Sequence, residues 1–403
     1  MSDFPLAYIS FDIVPAPKGA AVHIEAFTGA IANQFGPLHL VSVSPTPEEI
    51  LSHQRWPGVH HTALPALGKT LLDRVLSFRR QLDQWFRNRR FQAIHVRSIY
   101  EGFPIAQRKR ELCDRLILEI NGLPSIELKY RYPRVAEDSE LMHKLLAQEA
   151  LCLSEADQVI TPSGVTKAFL VQQGVPADKI TVIPNGVDLS VFTYHAPRLS
   201  PNLRPLKMLY FGTLSAWQGV DLAIEALDLY CRDFPAVLTI LGPARPQQLR
   251  SLLKLIRRLG QQDRVQILDP VNQTQLVQQM HDADVIVAPL KANDRNCIQG
   301  CCPLKVLEGM ASGTPVVTSD LDVVHALGQQ NIHLLMGRPG SAKAIKDNLL
   351  LLRANPNLRL QLSQGARSHI EKCYTWEKSN QNLMQVYKRL GIHKVTKNSH
   401  PTP

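Results

Sequence analysis

Residues 296–318, NCIQGCCPLKVLEGMASGTPVVT, decide how we interpret the rest of the chain. After a polar, turn-forming beginning, the pattern predicts a short helix over 303–312, with Pro303 near the first helical position, where its missing N–H does no harm. Gly313 is a good helix end, and residues 314–317 then predict the beginning of a buried strand. A turn that leads into a helix leaves backbone N–H groups unpaired and carries a partial positive charge, so it attracts phosphate groups.

Two charged side chains extend this interpretation. Lys305 adds a cation in the first helical turn. Glu308 lies about one turn further on, where a carboxylate could accept hydrogen bonds from the hydroxyls of a ribose. A phosphate site, a cation and a hydroxyl acceptor together indicate a sugar nucleotide. On residue types alone, an ordinary helix-to-strand turn of an α/β protein explains the stretch equally well.

The same stretch resembles the donor-site motif of the family 4 glycosyltransferases, which are retaining enzymes of the GT-B architecture. The family pattern is Glu-x7-Glu followed by Met-Ala-x-Gly-x-Pro-Val-Val. Glu308 matches the second glutamate, which in the family binds the ribose of the donor. The first glutamate would fall on Gly300, so the motif is a variant. The candidates that hold the hydroxyls of the donor sugar are then Gln299 and the backbone amides of Gly300, Cys301 and Cys302.

Length and composition limit the class of protein. A chain of 403 residues is long for one hydrophobic core and sufficient for two domains. It has no run of about 18 apolar residues and no signal-peptide pattern at residues 1–5, so we predict neither a transmembrane helix nor secretion. Seven scattered cysteines fit a reducing compartment. We expect a cytoplasmic protein, with a peripheral position on the inner face of the membrane left open.

The formal net charge of +10 indicates an anionic partner. No zinc-finger or RNA-binding signature supports nucleic acid, so acidic lipids or lipid-linked sugars are the more plausible partner. Cys297, Cys301 and Cys302 cluster, but they lack a matching Cys or His pair at the spacing of a zinc site. We therefore predict no metal, and no cofactor apart from the nucleotide-sugar substrate.

The first predicted strand, residues 6–10, leads into a loop of small residues and then into a helix from about residue 22 to residue 34. Small residues at such a turn allow a ligand to approach the backbone closely. Residues 18–23 resemble the glycine-rich loop that faces the cleft in family 4 enzymes. This resemblance makes candidates of Lys18, Gly19, Ala20 and His23, although His23 is also explained as an ordinary helix residue.

Two further candidates lie on the acceptor side. Residues 91–97 predict a parallel strand that resembles the family's strand ending in His-x-His, with Arg97 in place of the second histidine. Many family members have a histidine where Asn121 stands. Asn121 could hydrogen-bond a sugar hydroxyl but cannot act as an acid or base, and a turn-forming Asn-Gly explains it equally well. Residues 129–134 could contact an acceptor phosphate, or they form a solvated basic loop.

Residues 69–90 predict an amphipathic helix with apolar residues at helical spacing. Only two acids accompany its seven basic residues, which are Lys69, Arg74, Arg79, Arg80, Arg87, Arg89 and Arg90. A scaffold helix with a solvated basic face explains this pattern. The alternative is a surface that rests on an anionic bilayer.

Alternating strand and helix patterns predict an α/β fold of GT-B architecture, in which two doubly wound, parallel-sheet, Rossmann-like domains face a cleft. Residues 174–188 are a second close resemblance to family 4, where this segment closes the first domain. We predict an acceptor-side domain over 1–190, a linker over 191–205, a donor-binding domain over 206–375, a helix over 376–391 that crosses back to the first domain, and a tail over 392–403.

The first loop of the second domain departs from the family pattern. Residues 212–219 resemble a loop that carries an arginine and, five residues later, a lysine, both of which bind the donor diphosphate. Thr213 and Gln218 stand at those positions, after Gly212, so two cations are missing. Backbone N–H groups can still bind phosphate. Lys305, with Arg245 or Arg295, could supply the charge.

The resemblance implies a retaining, metal-independent, hexosyltransferase-like enzyme that moves a sugar from a nucleotide-diphosphate sugar to a hydroxyl of a polysaccharide, glycolipid or small molecule. The protein would stabilise the departing diphosphate and the charge that develops on the sugar. The predicted catalytic residues are Lys305, Asn121 and Arg97. The alternative is a degenerate GT-B protein that binds a sugar nucleotide or a protein partner without transfer. The residues at positions 213, 218 and 300 favour that alternative.

Overall fold

The computed structural model describes residues 4–16, 18–46, 48–198 and 204–394 of the chain. Its N-terminal part forms an eight-stranded sheet. The strands are β1 (Leu6–Ile13), β2 (Leu38–Val43), β3 (Leu51–Trp56), β4 (Val59–Leu64), β5 (Phe91–Val96), β6 (Cys113–Glu119), β7 (Gln158–Thr161) and β8 (Ile180–Val182). They lie in the order β3-β4-β2-β1-β5-β6-β7-β8, and all neighbours are parallel except the antiparallel pair β3–β4.

The C-terminal part forms a six-stranded sheet. Its strands are β9 (Leu206–Phe211), β10 (Ala236–Leu241), β11 (Val265–Leu268), β12 (Val285–Ala288), β13 (Val316–Ser319) and β14 (Leu335–Gly337). They are all parallel, in the order β11-β10-β9-β12-β13-β14. The prediction of two doubly wound parallel α/β domains is therefore confirmed. Residues 199–203 of the predicted linker and 395–403 of the predicted tail lie outside the described residues.

Helices cover both faces of the two sheets. Those of the first half are α1 (Gly19–Phe35), α2 (Leu71–Trp85), α3 (Ile99–Gln107), α4 (Lys109–Leu112), α5 (Pro124–Arg131), α6 (Ser139–Glu155) and α7 (Gly164–Gln172). Those of the second half are α8 (Val220–Cys231), α9 (Pro246–Arg258), α10 (Gln273–Asp282), α11 (Leu304–Ser312), α12 (Asp322–His325), α13 (Ala342–Ala354), α14 (Pro356–Cys373) and α15 (Trp376–Arg389). A π-helical turn spans Arg295–Gln299. Among the described residues, no helix combines the length and the apolar character that crossing a bilayer requires.

Burial explains which strands the sequence reveals. Every residue of β2 is buried, as is every residue of β12, because helices cover both faces of each sheet at these inner positions. Such strands are recognised as short apolar runs. The outermost strand β3 is polar and none of its residues is buried, so its sequence does not reveal it, and its partner β4 was missed with it. A polar outer strand also discourages pairing with another chain.

The last helix, α15, returns to the first domain although it follows the second in sequence. Leu383, Val386 and Tyr387 are buried in one cluster with residues of α1 and β1. The ring of Tyr387 stacks on that of Phe35, with 5.3 Å between the ring centroids. The apolar face of α15 therefore fastens the end of the described chain to the first sheet.

Two basic segments differ from their predictions. The helix predicted over 69–90 is shorter, because Thr70 caps its beginning in a reciprocal pair of hydrogen bonds with Asp73. Arg79 does not face solvent: its guanidinium donates to the carbonyls of Tyr100 and Ile99 at 2.6 and 3.0 Å. The segment over 129–134, predicted as a loop, instead contains the end of helix α5.

Gly313 ends α11 with a φ of +87°, and a Cβ there would lie 2.3 Å from the carbonyl oxygen of His195. We expect Gly313→Ala to lower the free energy of unfolding by more than the about 1–2 kcal/mol that a left-handed conformation costs alone. Gly174→Ala measures the cost of the left-handed conformation alone, since φ at Gly174 is +88° and no atom would lie within 4 Å of an added Cβ. Gly164→Ala is the neutral control. Urea unfolding followed by circular dichroism gives the free energy of unfolding of each variant. Equal losses in Gly313→Ala and Gly174→Ala would contradict a close contact at position 313.

Candidate active site

A cavity of about 490 Å³ lies between the two sheets. Its walls include residues that end or follow strands of the first sheet, among them Asp12, Arg97 and Asn121, and two residues of the second domain, Trp217 and Arg295. Ligands of parallel α/β proteins bind at this edge of the sheet, where strands end. Four of the residues predicted from sequence line the cavity together: Lys18, Ala20, Arg97 and Asn121.

The predicted donor residues of the second domain meet at the beginning of α11. Lys305 is buried, and its Nζ donates to the hydroxyl of Tyr210 over 2.9 Å. That hydroxyl in turn donates to the carbonyl of Thr213 over 2.7 Å. A Cβ on Gly212 would lie only 3.5 Å from Nζ of Lys305. The ammonium is therefore held against the loop that follows β9, as the resemblance implied for a diphosphate site.

Lys305 and Glu308 have opposite shifts of pKa. Burial lowers the pKa of Lys305 to about 7, although the nearby carboxylate of Glu308 opposes this change. Burial likewise raises the pKa of Glu308 to about 7 against the effect of Lys305. Each charge is thus poorly compensated by the protein alone. A ligand that brings negative charge to Lys305 would restore its charged form.

Gln218, the other predicted residue of this loop, donates its backbone N–H to the carbonyl of Ser215 over 2.9 Å. Its Oε1 is buried and has no hydrogen-bond partner among the described residues. Thr213 is exposed. The loop approaches Lys305 through the carbonyl of Thr213, which accepts from Tyr210, and the side chains at positions 213 and 218 carry no charge.

The segment before α11 is joined to the first domain. Gln299 is fully buried. Its Oε1 accepts from the amide of Leu123 over 2.8 Å, and its Nε2 donates to Glu127 over 2.9 Å. Arg295 donates to the same carboxylate over 3.1 Å. The side chain of Gln299, which we predicted to contact the donor sugar, is thus already engaged between the domains.

Gly300 stands where the resemblance implied the first glutamate of the motif, and it packs closely against the first domain. Its φ is +81°, and a Cβ would lie 2.9 Å from Oγ of Ser163 and from the backbone nitrogen of Thr166. No side chain fits at this contact with the beginning of α7. The amide of Gly300 donates to the carbonyl of Arg295 over 3.1 Å, which leaves only the amides of Cys301 and Cys302 from the predicted set.

Glu119 lies beneath the cavity and was missed by the sequence analysis. It is 1% exposed. Its carboxylate accepts from Nε of Arg97 over 3.2 Å and from the hydroxyl of Tyr8 over 3.0 Å, and it also contacts Nδ2 of Asn121. Burial opposes ionisation, but His23 and Arg97 hold the pKa of Glu119 well below its usual range. The carboxylate thus orients the two predicted acceptor-side residues.

Hydrogen bonds connect the carboxylate of Glu119 to the second domain on one side and to helix α15 on the other. His23 is buried in α1, and its Nε2 lies 2.9 Å from Glu119 while its Nδ1 lies 3.0 Å from Oδ1 of Asn185. Asn185 donates to the carbonyl of Cys302 over 3.0 Å. On the other side, His95 lies 3.3 Å from Glu119 and 3.0 Å from the hydroxyl of Tyr387 on α15. His23 is therefore a member of a buried network and not a free residue of the cleft loop.

A local signal for Glu119 does exist in the sequence. It is a carboxylate that directly ends a buried apolar strand, β6, where an uncompensated charge would be costly. Its partners were not visible, because Tyr8 lies 111 residues away in sequence. Glu127, on α5, was missed for the same reason, since its partner Gln299 is 172 residues away.

Family models match both domains. Residues 17–191 match the model described as Glycosyltransferase Family 4, and residues 205–355 match the model described as Glycosyl transferases group 1. A D-inositol 3-phosphate glycosyltransferase of Jonesia denitrificans is 28% identical over 53% of this chain and 52% of its own length. A glycogen synthase of Mycobacterium tuberculosis is 28% identical over 61% of this chain and 58% of its own. The chain thus spans little more than half the length of these curated relatives.

Solved structures share the fold over nearly the whole chain. Sucrose-phosphate synthase of Thermosynechococcus elongatus superimposes with a TM-score of 0.80 at 20% identity, over 96% of this chain and 99% of that one. HepE of Anabaena, solved with UDP, gives 0.72 at 16% identity over 96% and 100%. WaaG, a glycosyltransferase of lipopolysaccharide biosynthesis, gives 0.67 at 15% identity over 93% and 98%. The predicted GT-B fold is confirmed.

Replacing Glu119 by Gln would remove the buried carboxylate that contacts both Arg97 and His23, and would leave Arg97 with the partly exposed Asp12 alone. We expect Glu119→Gln to lose about 3–5 kcal/mol of unfolding free energy at pH 7. Because the folded-state pKa of Glu119 is lowered, its stabilisation is complete above the unfolded value of about 4.3 and is lost as the pH falls through the folded value. Urea unfolding curves of the two proteins should therefore converge in acid.

The control is Glu137→Gln, which changes an exposed carboxylate and should leave the midpoint unchanged at every pH. A difference between wild type and Glu119→Gln that stayed constant from pH 7 to pH 3 would show that the charge of Glu119 is not what stabilises the fold.

Proposed function

Because its two domains match glycosyltransferase family models and adopt the GT-B fold, we propose that this chain is a retaining glycosyltransferase. It transfers a sugar from a nucleotide-diphosphate donor to a hydroxyl acceptor, without a metal or another cofactor. The observation that carries the proposal is the buried Lys305 at the beginning of α11, held against the Gly212 loop with Glu308 one turn away. The same fold holds UDP in HepE, which supports a nucleotide donor here.

We assign each donor residue a role in this reaction. A diphosphate at the beginning of α11 would meet the Lys305 ammonium, the amides of Cys301 and Cys302, and the positive end of the helix. These groups stabilise the negative charge that grows on the leaving diphosphate as the glycosidic bond breaks. Glu308 would accept hydrogen bonds from the ribose. The leaving phosphate would take the proton of the acceptor hydroxyl.

The acceptor-side residues would position the second substrate. Asn121 and Arg97 line the cavity, and both are held by Glu119. Neither side chain can remove a proton at neutral pH, since one is an amide and the other stays protonated. Their proposed contribution is to orient the acceptor hydroxyl toward the sugar carbon, which lowers the entropic part of the barrier.

A second candidate function is binding of a sugar nucleotide, or of a protein partner, without transfer. Two observations favour it. The side chains of Thr213 and Gln218 carry no charge, and Ser163 and Thr166 leave no space for a side chain at Gly300. A binding protein would still need the Lys305 site but would not need the acceptor residues. Transfer activity of variants at Asn121 and Arg97 therefore separates the two functions.

We also propose a cytoplasmic protein that touches an anionic membrane surface through the outer face of α2. Leu72 and Leu76 are 56% and 46% exposed on this helix, and Leu67 beside it is 46% exposed. Lys69 and Arg80 are exposed nearby. Exposed apolar side chains flanked by cations are typical of helices that lie at the surface of a bilayer. The basic face is smaller than predicted, because Arg79 is engaged inside.

The donor site can be tested by thermal unfolding. Wild type is heated with UDP, GDP, ADP or their glucose conjugates, and one of these should raise Tm, since a ligand at about 100 times its Kd stabilises the fold by about 2.7 kcal/mol. Glu308→Ala should lose most of the shift, and the exposed Glu137→Ala should keep it. If no nucleotide raised Tm, or if Glu308→Ala retained the full shift, the proposed donor site would be wrong.

Protonation gives an independent test of Lys305. At pH 8 its amine is mostly neutral, because its pKa is about 7, and a bound diphosphate favours the ammonium. Binding at pH 8 should therefore take up as much as about one proton, and affinity should fall as the pH rises from 7 to 9. Calorimetry in HEPES and in Tris measures the uptake from the difference in enthalpy.

Lys305→Met should abolish the difference between the two buffers, whereas Lys254→Met, which alters an exposed lysine on α9, should preserve it. Equal enthalpies in both buffers for the wild type would mean that Lys305 does not change its protonation on binding.

A further inference from the structure

The cleft cavity carries more positive charge than its own carboxylates neutralise. Its cationic lining residues are Lys18, Arg74, Arg97, Arg131 and Arg295, and its acidic ones are Asp12 and Glu127. Among the residues that line this cavity of about 490 Å³, five cations face two carboxylates, and the buried Glu119 beneath Arg97 reduces the excess of positive charge from three to two. Converging like charges are unfavourable unless a ligand of opposite charge joins them.

The excess is confined to particular side chains. Arg97 contacts Asp12 and Glu119, and Arg295 contacts Glu127. Within the described part of the chain, Lys18, Arg74 and Arg131 contact no carboxylate. These are the cations that remain available to a ligand.

An aromatic ring lies beside each of the two guanidinium groups that contact no carboxylate. That of Arg74 lies 5.9 Å from the ring centroid of Phe11, and its Nε donates to the carbonyl of Ala66 over 3.3 Å. That of Arg131 lies 5.4 Å from the ring centroid of Tyr132. Burial, together with the charge of Arg131, lowers the pKa of the neighbouring Arg245. None of these contacts neutralises the charge of Arg74 or Arg131.

The position of these residues indicates which substrate they serve. Gly19 touches the beginning of α11, since a Cβ there would lie 2.5 Å from Cδ1 of Leu304, so Lys18 adjoins the proposed donor site. Arg74 and Arg131 belong to α2 and α5 of the first domain, whereas the groups assigned to the donor diphosphate belong to the second. The free arginines of the first domain thus face the acceptor side of the cavity.

We infer that the acceptor carries a phosphate group and that Arg74 and Arg131 bind it while its hydroxyl reaches Asn121 and Arg97. This inference rests on the proposed function, since only a transferase has an acceptor. The volume suits a sugar or polyol phosphate. Arginine binds phosphate through charge-assisted, often bidentate hydrogen bonds. The apolar walls offered by Phe11, Leu71 and Leu128 suit the C–H faces of a sugar ring.

The phosphate could belong to a free polyol phosphate or to a lipid headgroup. The structure places Leu71 and Arg74 in the cavity while Leu72 and Leu76, on the same helix, face outward and are exposed. A headgroup in the cavity would leave its acyl chains near this apolar face. Both sources share the same chemistry in the cavity, and the experiment separates them.

Calorimetry on the full chain, saturated with the nucleotide that raises Tm, tests the inference with matched pairs: glucose 6-phosphate and glucose, fructose 6-phosphate and fructose, inositol 1-phosphate and inositol. At least one phosphorylated member should bind about 10- to 100-fold more tightly than its neutral partner. Arg74→Gln and Arg131→Gln should each weaken that binding about 10-fold. Arg250→Gln, which alters an exposed arginine on α9, should not.

Sedimentation with vesicles distinguishes the two sources. A headgroup phosphate is indicated by two results together. The chain sediments with phosphatidylinositol vesicles but not with phosphatidylcholine vesicles, and the double variant Arg74→Gln, Arg131→Gln no longer sediments with either. If soluble phosphates bind through these arginines while the vesicles stay free, the acceptor phosphate is a free phosphate. The inference is overturned if no phosphorylated compound and no anionic vesicle binds more tightly than its neutral counterpart, or if both arginine variants bind as the wild type does.

The failure of the two proposals can be told apart in the same samples. A Glu308-dependent nucleotide shift without arginine-dependent phosphate binding overturns only the acceptor inference. Arginine-dependent binding of a polyol phosphate without any nucleotide shift contradicts the proposed transferase, and the phosphate is then not that of an acceptor.

Discussion

The buried carboxylate of Glu119 is the interaction on which the cleft depends. A charge in an apolar interior is stable only when hydrogen bonds and opposite charges surround it. Here those groups come from β1, α1, β5 and the turn after β6, through Tyr8, His23, Arg97 and Asn121. Compensating one carboxylate thus fixes four segments of the first domain relative to one another. The cavity wall is the exposed side of this arrangement.

The contact between the domains explains why position 300 is a glycine. In the turn before α11, Asp294 accepts hydrogen bonds from Lys129 and Tyr130 of the first domain. Gln299 and Arg295 donate to Glu127. Gly300 packs against the beginning of α7 so closely that no side chain fits. A glutamate at this position would have to push the domains apart. The residues at the contact between the domains therefore fill the space that a side chain at position 300 would need.

The sequence predicted those elements whose signals lie within a few residues of one another. The helix predicted over 303–312 is α11 displaced by one residue at its beginning, because a proline before the helix and a glycine after it are local signals. Buried parallel strands such as β12 appeared as apolar runs. The β3–β4 pair and α5 were missed, since polar or basic residues mark no periodicity there. Glu119 was missed because its partners converge only in the folded chain. The fold was thus more predictable than the site, in which residues more than 100 positions apart meet.

The distribution of positive charge connects these observations. The loop after β9 lacks the cations expected at positions 213 and 218, and the buried Lys305 is the charge held against it. The first domain instead supplies Lys18, Arg74 and Arg131 to the shared cavity. Lys18 adjoins the proposed donor site. Arg74 and Arg131 would act on a diphosphate there only at longer range, where water weakens the interaction, but they would act directly on a ligand that fills the cavity. Under the proposed function, an anionic acceptor would therefore gain more from the charge of the first domain than the nucleotide would.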